Sequence, residues 1–384
     1  MRKSISILLV VLICGLSLIP INIYKLNASA YYDEGFTSAK AMCVLEKDSK
    51  RVILSKNMDE RLPMASTTKI MTAITVIQYC NDLEKTVVVS DKAVGVEGSS
   101  IYLKKDEVMS IKDLLYGLML RSGNDSATAL AYAVGGDING FAGLMNKLAK
   151  EIGAVNTNFT NPHGLHDDNH YTTAYDLSLI TAYALNNPIF KEIVSSKKHI
   201  VNATNKTEVR YMTNKNKLLF SLEGCCGVKT GFTKKAGRCL VSACDRDNTT
   251  YVCTVLNCGP MFEDSARLLN DSFNSYKNVK IIDKYKEIYN EYFIDEYLGK
   301  LYLYTDEDFI YPLKENEKNN IRIEYYLTLE DAEVNDEVGE IRIFFDKHLI
   351  KILKLYTMNK IDKLIDSNTL KISEILWEER INEN

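Results

Sequence analysis

The sequence predicts an α+β fold, in which helices flank one antiparallel sheet and a small all-β domain follows. Strand-like segments lie at both ends of a helix-rich middle, which is typical of a single sheet covered by helices. From residue 281 onward, short apolar–polar alternations replace the helical spacing. The charge changes at the same place, because residues 31–282 carry a net +3 and residues 283–384 a net −10. Two units with different roles are therefore expected.

The first elements are a hairpin and a helix. Ala41–Leu45 and Arg51–Leu54 have the composition of two strands joined by a polar turn at 46–50. Apolar residues then recur at helical spacing through Ser66–Tyr79, which predicts a buried helix.

The middle of the chain alternates helical patterns with strong breaks. Helical spacing predicts helices at Ile111–Leu120, Asp125–Val134, Ile138–Ile152 and Thr173–Leu185. Runs rich in β-branched and apolar residues then predict strands at Gly227–Gly231, Cys239–Cys244 and Tyr251–Asn257. Ala266–Tyr276 returns to the helical pattern.

The C-terminal region has the pattern of a small β unit. Alternating segments predict strands at 302–304, 321–327, 339–345 and 349–356. The last segment, Thr369–Arg380, predicts a short amphipathic helix with an acidic polar face. Such a helix could contact a membrane surface, but its acidity weakens attraction to anionic lipid, so packing on the β unit or on a partner is the alternative.

The N-terminus has the pattern of an export signal. Arg2 and Lys3 precede a largely apolar stretch, and Ala28-Ser29-Ala30 offers small residues at a cleavage site. We expect cleavage after Ala30 and an extracytoplasmic location, beyond the cytoplasmic membrane or on its outer face; the alternative is an uncleaved anchor. The predicted organisation is a signal peptide at 1–30, an α+β domain at 31–280, a small β domain at 281–361 and a tail at 362–384.

The charge composition argues against a nucleic-acid-binding protein. The net charge is −4 over 384 residues, and no basic stripe is present to neutralise nucleic-acid phosphates.

Eight cysteines follow residue 30, an even number that permits disulfides in an exported chain. A hairpin around Asp245–Thr250 would place Cys244 opposite Cys253 and Cys239 opposite Cys258. Buried free thiols are the preferred interpretation.

The first chemical motif is Ser66-Thr67-Thr68-Lys69 at the start of the buried helix. Residues three apart share a helix face, so the Lys69 amine can lie beside the Ser66 hydroxyl. A lysine whose pKa is lowered by burial can take the proton of that hydroxyl and make it a nucleophile. A serine that merely caps a helix is the structural alternative.

Two further motifs follow in order. Ser122-Gly123-Asn124 lies in a loop, where the serine can relay a proton and the Asn124 amide can bond both a lysine and a substrate carbonyl. Lys229-Thr230-Gly231 lies on a predicted strand, where a cation and a hydroxyl can hold a substrate carboxylate and Gly231 permits close backbone approach. The N–H of Phe232 could pair with that of Ser66 as an oxyanion hole. Each motif alone is weak, whereas all three in this order indicate a serine acyltransferase.

Together with their surroundings, these motifs resemble the low-molecular-mass penicillin-binding proteins, the serine-type D-alanyl-D-alanine carboxypeptidase family. The similar stretches include LMLRSGNDSATALA, TNPHGL, YTTAYDL and GVKTGFTKKAGRCLV. The resemblance implies a penicilloyl-serine-transferase (β-lactamase-like) fold, an enzyme that removes the terminal D-alanine from peptidoglycan pentapeptide stems, and inhibition by β-lactams. It implies catalytic roles for Ser66, Lys69 and Ser122, and substrate binding by Asn124, Lys229, Thr230 and Gly231.

Three alternatives remain open. A β-lactamase of the same scaffold would need a carboxylate base, and residues 152–191 contain no Glu and only Asp167, Asp168 and Asp176. A metal site formed by His163, His166 and His170 matches no common zinc spacing, so neither a metal nor an organic cofactor is expected. A non-enzymatic cell-wall scaffold would retain its role without Ser66.

Overall fold

The computed structural model describes residues 37–288, 301–328, 331–361 and 369–374. The predicted signal peptide lies outside the described residues. The described chain divides into two compact units: one contains the region up to residue 279 together with 310–314, and the other contains 280–309 and the region from 315 onward.

The first unit contains a five-stranded antiparallel sheet in the order β2-β1-β9-β8-β7. The strands are β1 Ala41–Glu46, β2 Val52–Lys56, β7 Cys225–Thr233, β8 Gly237–Arg246 and β9 Thr249–Leu256. Among the described residues, strand β7 therefore lies at one edge of the sheet, with a neighbouring strand on only one side. An edge strand leaves main-chain groups available for an extended peptide.

Helices cover both faces of this sheet. The helices are α1 Lys69–Tyr79, α2 Ile111–Leu120, α3 Asn124–Gly135, α4 Ile138–Ile152, α5 Ala174–Ala184, α6 Pro188–Ser195, α7 Leu218–Ser221 and α8 Met261–Ser275. Alternate residues of β1 face opposite sides of the sheet. Ala41 and Cys43 belong to the apolar cluster formed with α1–α6, whereas Met42 and Val44 belong to the apolar cluster that contains α8. Burial on both faces explains why β1 is apolar from Ala41 to Leu45 rather than alternating between apolar and polar residues.

Local signals set the ends of several helices. The side chain of Ser110 accepts from Asp113 N–H at the start of α2, and that of Asp137 accepts from Gly140 N–H at the start of α4. Gly153, at φ 90°, ends α4 in the left-handed region that favours glycine.

Four short strands in the first unit were not predicted. They form two hairpins, β3 Thr86–Val88 with β4 Val108–Ser110 and β5 Lys198–Val201 with β6 Arg210–Thr213. The Arg210 guanidinium bonds the buried Glu107 carboxylate at 2.6 and 2.8 Å, joining the second hairpin to the chain before β4.

The predicted register of the β8–β9 hairpin is wrong by two residues. Ser242 pairs with Cys253, and Cys244 pairs with Tyr251. The turn consists of Asp247 and Asn248, both at positive φ (48° and 59°), which is the geometry of a two-residue type I′ turn. The two cysteine pairs that the predicted register would bring together are therefore not opposite each other.

The second unit contains a five-stranded antiparallel sheet in the order β11-β15-β14-β13-β16. Its strands are β11 Leu303–Tyr304, β13 Ile321–Thr328, β14 Glu337–Phe345, β15 His348–Thr357 and β16 Thr369–Glu374. Two further strands, β10 Lys277–Ile282 and β12 Phe309–Leu313, each contain residues of both units. The β unit predicted from alternation is present.

The prediction of a helix at Thr369–Arg380 is wrong for residues 369–374, the part of this segment that the structure describes. Residues Thr369–Glu374 form β16, which pairs along β13 from Ile323↔Glu374 to Thr328↔Thr369. A strand partner satisfies the backbone groups of this segment and overrides its helical spacing. Residues 375–384 lie outside the described residues. No helix among the described residues is long and apolar enough to cross a membrane.

Candidate active site

Ser66 lies in a single turn of 3₁₀ helix, Ala65–Thr68, that leads directly into α1. Ala65 immediately before it adopts φ 51°, a conformation that costs energy in a residue with a side chain. Ser66 is partly exposed, whereas Thr67, Thr68 and Lys69 are buried. The turn therefore presents a single hydroxyl at the surface.

Lys69 is completely buried beneath Ser66. Its Nζ lies 3.0 Å from Ser66 Oγ, 2.6 Å from Asn124 Oδ1 and 2.8 Å from the His163 carbonyl oxygen. These three acceptors match the three N–H groups of an ammonium. Loss of one proton leaves a lone pair on Nζ beside the Ser66 hydroxyl.

The surroundings of Lys69 favour its neutral form. Desolvation by burial, followed by the positive charges of Lys229 and Lys215, lowers the pKa of Lys69 well below its usual value. Asp125 opposes this shift. The predicted pairing of a serine with an amine of lowered pKa is therefore present in the geometry.

The second motif lies between α2 and α3. Ser122 is buried and adopts φ 64°, and Asn124 begins α3. The Asn124 Nδ2 donates to the Glu97 carbonyl, while its Oδ1 accepts from Lys69. Asn124 thus connects Lys69 to the chain at 97–99. A built Cβ on Gly98 would lie 2.7 Å from Asn124 Nδ2, and Gly98 has φ 97°, so this approach requires glycine.

The third motif lies on the edge strand β7. Lys229 is buried, and its Nζ donates to the Thr230 carbonyl at 2.9 Å. Desolvation, followed by the charge of Lys215, lowers the pKa of Lys229 to about 7. Thr230 is partly exposed beside it.

Gly231 allows β7 to approach the Ser66 turn. A built Cβ there would lie 3.0 Å from the nitrogens of both Ser66 and Thr67 and 3.1 Å from the Met64 oxygen. Any side chain at this position would push the strand away from the start of the turn. The next residue, Phe232, has a 65% exposed side chain.

Four residues that contribute to the site were not found from the sequence: His163, Gly164, Asp125 and Lys215. The His163 carbonyl accepts from Lys69, and Gly164 packs so closely that its built Cβ would lie 2.0 Å from the Ala65 oxygen. Asp125 accepts from the N–H groups of Ile101 and Leu103, which fixes the segment beside Asn124. Lys215 belongs to none of the three motifs, and its positive charge lowers the pKa of both Lys69 and Lys229.

His170 has a structural role. Its Nδ1 accepts from Thr160 N–H at 3.0 Å and its Nε2 contacts Thr68 Oγ1 at 2.8 Å. Thr68 in turn donates to the Ala65 carbonyl at 2.8 Å. His170 therefore supports the turn that carries Ser66. Within the described ranges, no group of three His, Cys, Asp or Glu side chains is arranged to hold a metal ion.

The three acids considered for a β-lactamase base have other positions. Asp167 and Asp168 are exposed in the loop before His170. Asp176 is buried, and its carboxylate accepts from Asn156 N–H at 2.7 Å and Thr157 Oγ1 at 2.8 Å. These bonds tie the start of α5 to the preceding loop.

Because the buried Lys69 amine lies within hydrogen-bond distance of the Ser66 hydroxyl, the site has the arrangement of a serine acyltransferase that uses a lysine as its base. The profile of the D-alanyl-D-alanine carboxypeptidase family (peptidase S11) matches residues 29–259, and that of the penicillin-binding protein 5 C-terminal domain matches residues 276–363. The chain belongs to the D-alanyl-D-alanine carboxypeptidase family, a family of serine hydrolases. The resemblance stated from the motifs is thereby confirmed.

Similar proteins agree with this assignment. The D-alanyl-D-alanine carboxypeptidase DacF of Bacillus subtilis is 32% identical over 246 residues, which are 62% of this chain and 63% of that protein. DacA of Haemophilus influenzae is 27% identical over 343 residues, 84% of this chain and 85% of that protein. The crystal structure of penicillin-binding protein 5 from Haemophilus influenzae superposes with a TM-score of 0.70 at 26% identity, over 86% of this chain and all of that one. The predicted fold class is confirmed.

Proposed function

We propose that this protein removes the terminal D-alanine from peptidoglycan pentapeptide stems through an acyl-enzyme on Ser66. The observation that carries the proposal is the completely buried Lys69 amine 3.0 Å from Ser66 Oγ. A neutral amine at this position is a base held within hydrogen-bond reach of the nucleophile.

In acylation, Lys69 Nζ takes the Ser66 proton while Oγ attacks the carbonyl carbon between the two D-alanines. The backbone N–H groups of Ser66 and Phe232 stabilise the oxyanion that forms. The C–N bond then breaks, and the leaving amine receives a proton from Lys69 through the Ser122 hydroxyl. Free D-alanine departs, and the shortened stem stays as an ester on Ser66.

In deacylation, a water molecule gives a proton to Lys69 and attacks the ester carbonyl. The tetrahedral intermediate expels Ser66 Oγ, which takes a proton back from Lys69. The products are a stem peptide with a new carboxylate and the free enzyme. Lys69 therefore serves each half-reaction first as a base and then as an acid.

Substrate binding is assigned to the edge strand β7 and to Asn124. The charge of Lys229 and the hydroxyl of Thr230 bind the terminal carboxylate of the peptide. The peptide lies along the open edge of β7 as an added strand, and the Asn124 amide bonds a carbonyl of the stem.

A β-lactam ring presents a strained amide to the same serine, so penicillin should acylate Ser66. The acyl-enzyme should be long-lived, because Asp167 and Asp168 are exposed and Asp176 is held by two hydrogen bonds in another role. This distinguishes the protein from a β-lactamase.

The substrate implies an extracytoplasmic location. Peptidoglycan stems lie outside the cytoplasmic membrane, and the pattern of Arg2, Lys3 and Ala28-Ser29-Ala30 supports export. The segment considered for contact with a membrane surface is a strand over its described part, 369–374.

Release of D-alanine from a diacyl-Lys-D-Ala-D-Ala peptide tests the proposal. The protein lacking its first 30 residues should release D-alanine, and Ser66→Ala should release none while retaining its melting temperature. Absence of release by a folded wild-type protein would overturn the proposal. Release retained by Ser66→Ala would exclude Ser66 as the nucleophile.

A further inference from the structure

Two cysteines lie opposite each other on the strand pair that carries the third motif. Cys225 begins β7, and its cross-strand partner on β8 is Cys244. The neighbouring residues Gly224 and Asp245 form a hydrogen-bonded pair, in which Asp245 N–H donates to the Gly224 carbonyl at 2.9 Å. Hydrogen-bonded and non-hydrogen-bonded pairs alternate along an antiparallel ladder, so Cys225 and Cys244 occupy a non-hydrogen-bonded position. Facing Cα atoms there are about 4.5 Å apart, within the range that a disulfide spans.

The two side chains lie on the same face of the sheet. Cys244 belongs to the apolar cluster that contains α8, and Cys225 packs against that cluster. The neighbouring Cys226 belongs to the cluster on the opposite face, and its Sγ contacts the Ala243 carbonyl at 3.4 Å. A bulge between Cys225 and Gly227 separates the two positions. Cys226 is therefore directed away from Cys244.

Exposure and charge give the two sulfurs different roles. Cys225 is partly exposed and Cys244 is buried. The hydrogen bond with the Cys244 thiol lowers the pKa of Cys225; burial opposes this shift, and a hydrogen bond with the backbone of Gly227 and the charge of Lys197 add to it. The same bond raises the pKa of Cys244. Cys225 is thus the thiol that meets a small reagent, and the thiolate is its reactive form.

We propose that Cys225 and Cys244 are a redox-active pair, which closes to a cross-strand disulfide by exchange with a small-molecule disulfide and reopens with a thiol reductant. The Cys225 thiolate attacks one sulfur of the small-molecule disulfide and displaces one thiol, giving a mixed disulfide. Cys244 loses its proton and attacks Cys225 Sγ, which displaces the second thiol. The protein loses two electrons and two protons, and the small molecule gains both as two thiols.

Closure affects the strand that holds the proposed carboxylate-binding residues. The disulfide encloses a loop of about 20 residues, which includes Lys229, Thr230 and Gly231. It joins the start of β7 to β8 covalently, and β8 is the only strand of the sheet beside β7 in the described chain. The expected result is a melting temperature roughly 5–10 °C higher in the oxidised protein than in the reduced protein.

Peptide mapping after equilibration in glutathione redox buffers tests this proposal directly. Free thiols are alkylated at each ratio of oxidised to reduced glutathione, and the protein is then digested and analysed by mass spectrometry. Oxidising buffers should yield a peptide linked through Cys225 and Cys244, and dithiothreitol should release it. Cys226→Ser should leave this link unchanged, whereas Cys244→Ser should stop at a glutathione adduct on Cys225.

The mapping of the unsubstituted protein does not depend on whether any variant folds. Alkylation of both Cys225 and Cys244 at every ratio, or a link from either one to a different cysteine, would overturn the proposal. A cooperative thermal unfolding transition measured on the same samples shows that the protein is folded. The cysteine result stands whether or not the proposed peptidase activity is found.

Discussion

Gly231→Ala tests whether the approach of β7 to the Ser66 turn matters for catalysis. The added Cβ would meet two main-chain nitrogens at 3.0 Å and the Met64 oxygen at 3.1 Å. These atoms cannot rotate away as a flexible side chain could, so strand and turn must separate by a few tenths of an ångström. Overpacking of this kind costs roughly 1–3 kcal/mol.

The same separation disturbs the proposed oxyanion hole. One of the crowded nitrogens belongs to Ser66, and loss of one oxyanion donor typically costs about 10²–10³ in kcat. Partial displacement should therefore slow both D-alanine release and acylation by penicillin at least roughly tenfold. The melting temperature should fall by roughly 3–10 °C.

Gly143→Ala is the matched control. Gly143 lies inside α4, and a built Cβ there meets no atom within 4 Å. This substitution should keep the wild-type rates and raise stability by about 0.5–1 kcal/mol. Stopped-flow acylation and D-alanine release are measured on both variants. Wild-type acylation and an unchanged melting temperature in Gly231→Ala would refute the packing argument.

Two further predictions concern pH. Because burial lowers the pKa of Lys229 to about 7, its charge is lost above that pH, and kcat/KM for peptides with a free carboxylate should fall by up to about tenfold per pH unit. Lys229→Arg keeps the charge and should remove this fall; an unchanged alkaline limb would exclude Lys229 as its source. Burial lowers the pKa of His170 from 6.5 to about 4. Between these two pH values the imidazole takes up a proton in the unfolded chain but not in the folded chain. The free energy of unfolding therefore decreases as the pH falls from 6.5 towards 4. The loss is about 3 kcal/mol, and His170→Gln should reduce it in urea unfolding measured at several pH values; an identical pH dependence in the variant would contradict the assignment.

Elements governed by local signals could be predicted from the sequence. The observed bounds of α2 and α4 agree residue for residue with the prediction, since apolar spacing and side-chain caps act together there. The three motifs could be found because their spacing is short and their order is defined. The position of Lys69 beside Ser66 follows from helical spacing of three residues.

Features set by distant contacts could not be predicted. The β8–β9 register depends on which two residues of a polar run form the turn, and Asp247 and Asn248 tolerate positive φ better than most residues. Segment 369–374 has apolar spacing compatible with a helix, but pairing with β13 makes it a strand. Short apolar segments of this kind are ambiguous until their partners are known.

Some contributions to the site, made by main-chain atoms or by a distant charge, also could not be predicted from the sequence. The His163 carbonyl, which accepts from Lys69, has no signature in side-chain identity. The role of Gly231 in letting two parts of the backbone meet depends on the fold, whereas the sequence suggested only an approach by substrate. Lys215 acts through its charge at a distance, which spacing along the chain does not reveal.

The central claim is that Ser66 carries the acyl group. Incubation with benzylpenicillin, followed by digestion and mass spectrometry, identifies the acylated residue. We predict one penicilloyl group per chain, located on Ser66, which persists for many times the duration of a D-alanine release cycle and is absent from Ser66→Ala. An adduct on a different residue, or rapid penicillin hydrolysis without an adduct on Ser66, would contradict this account.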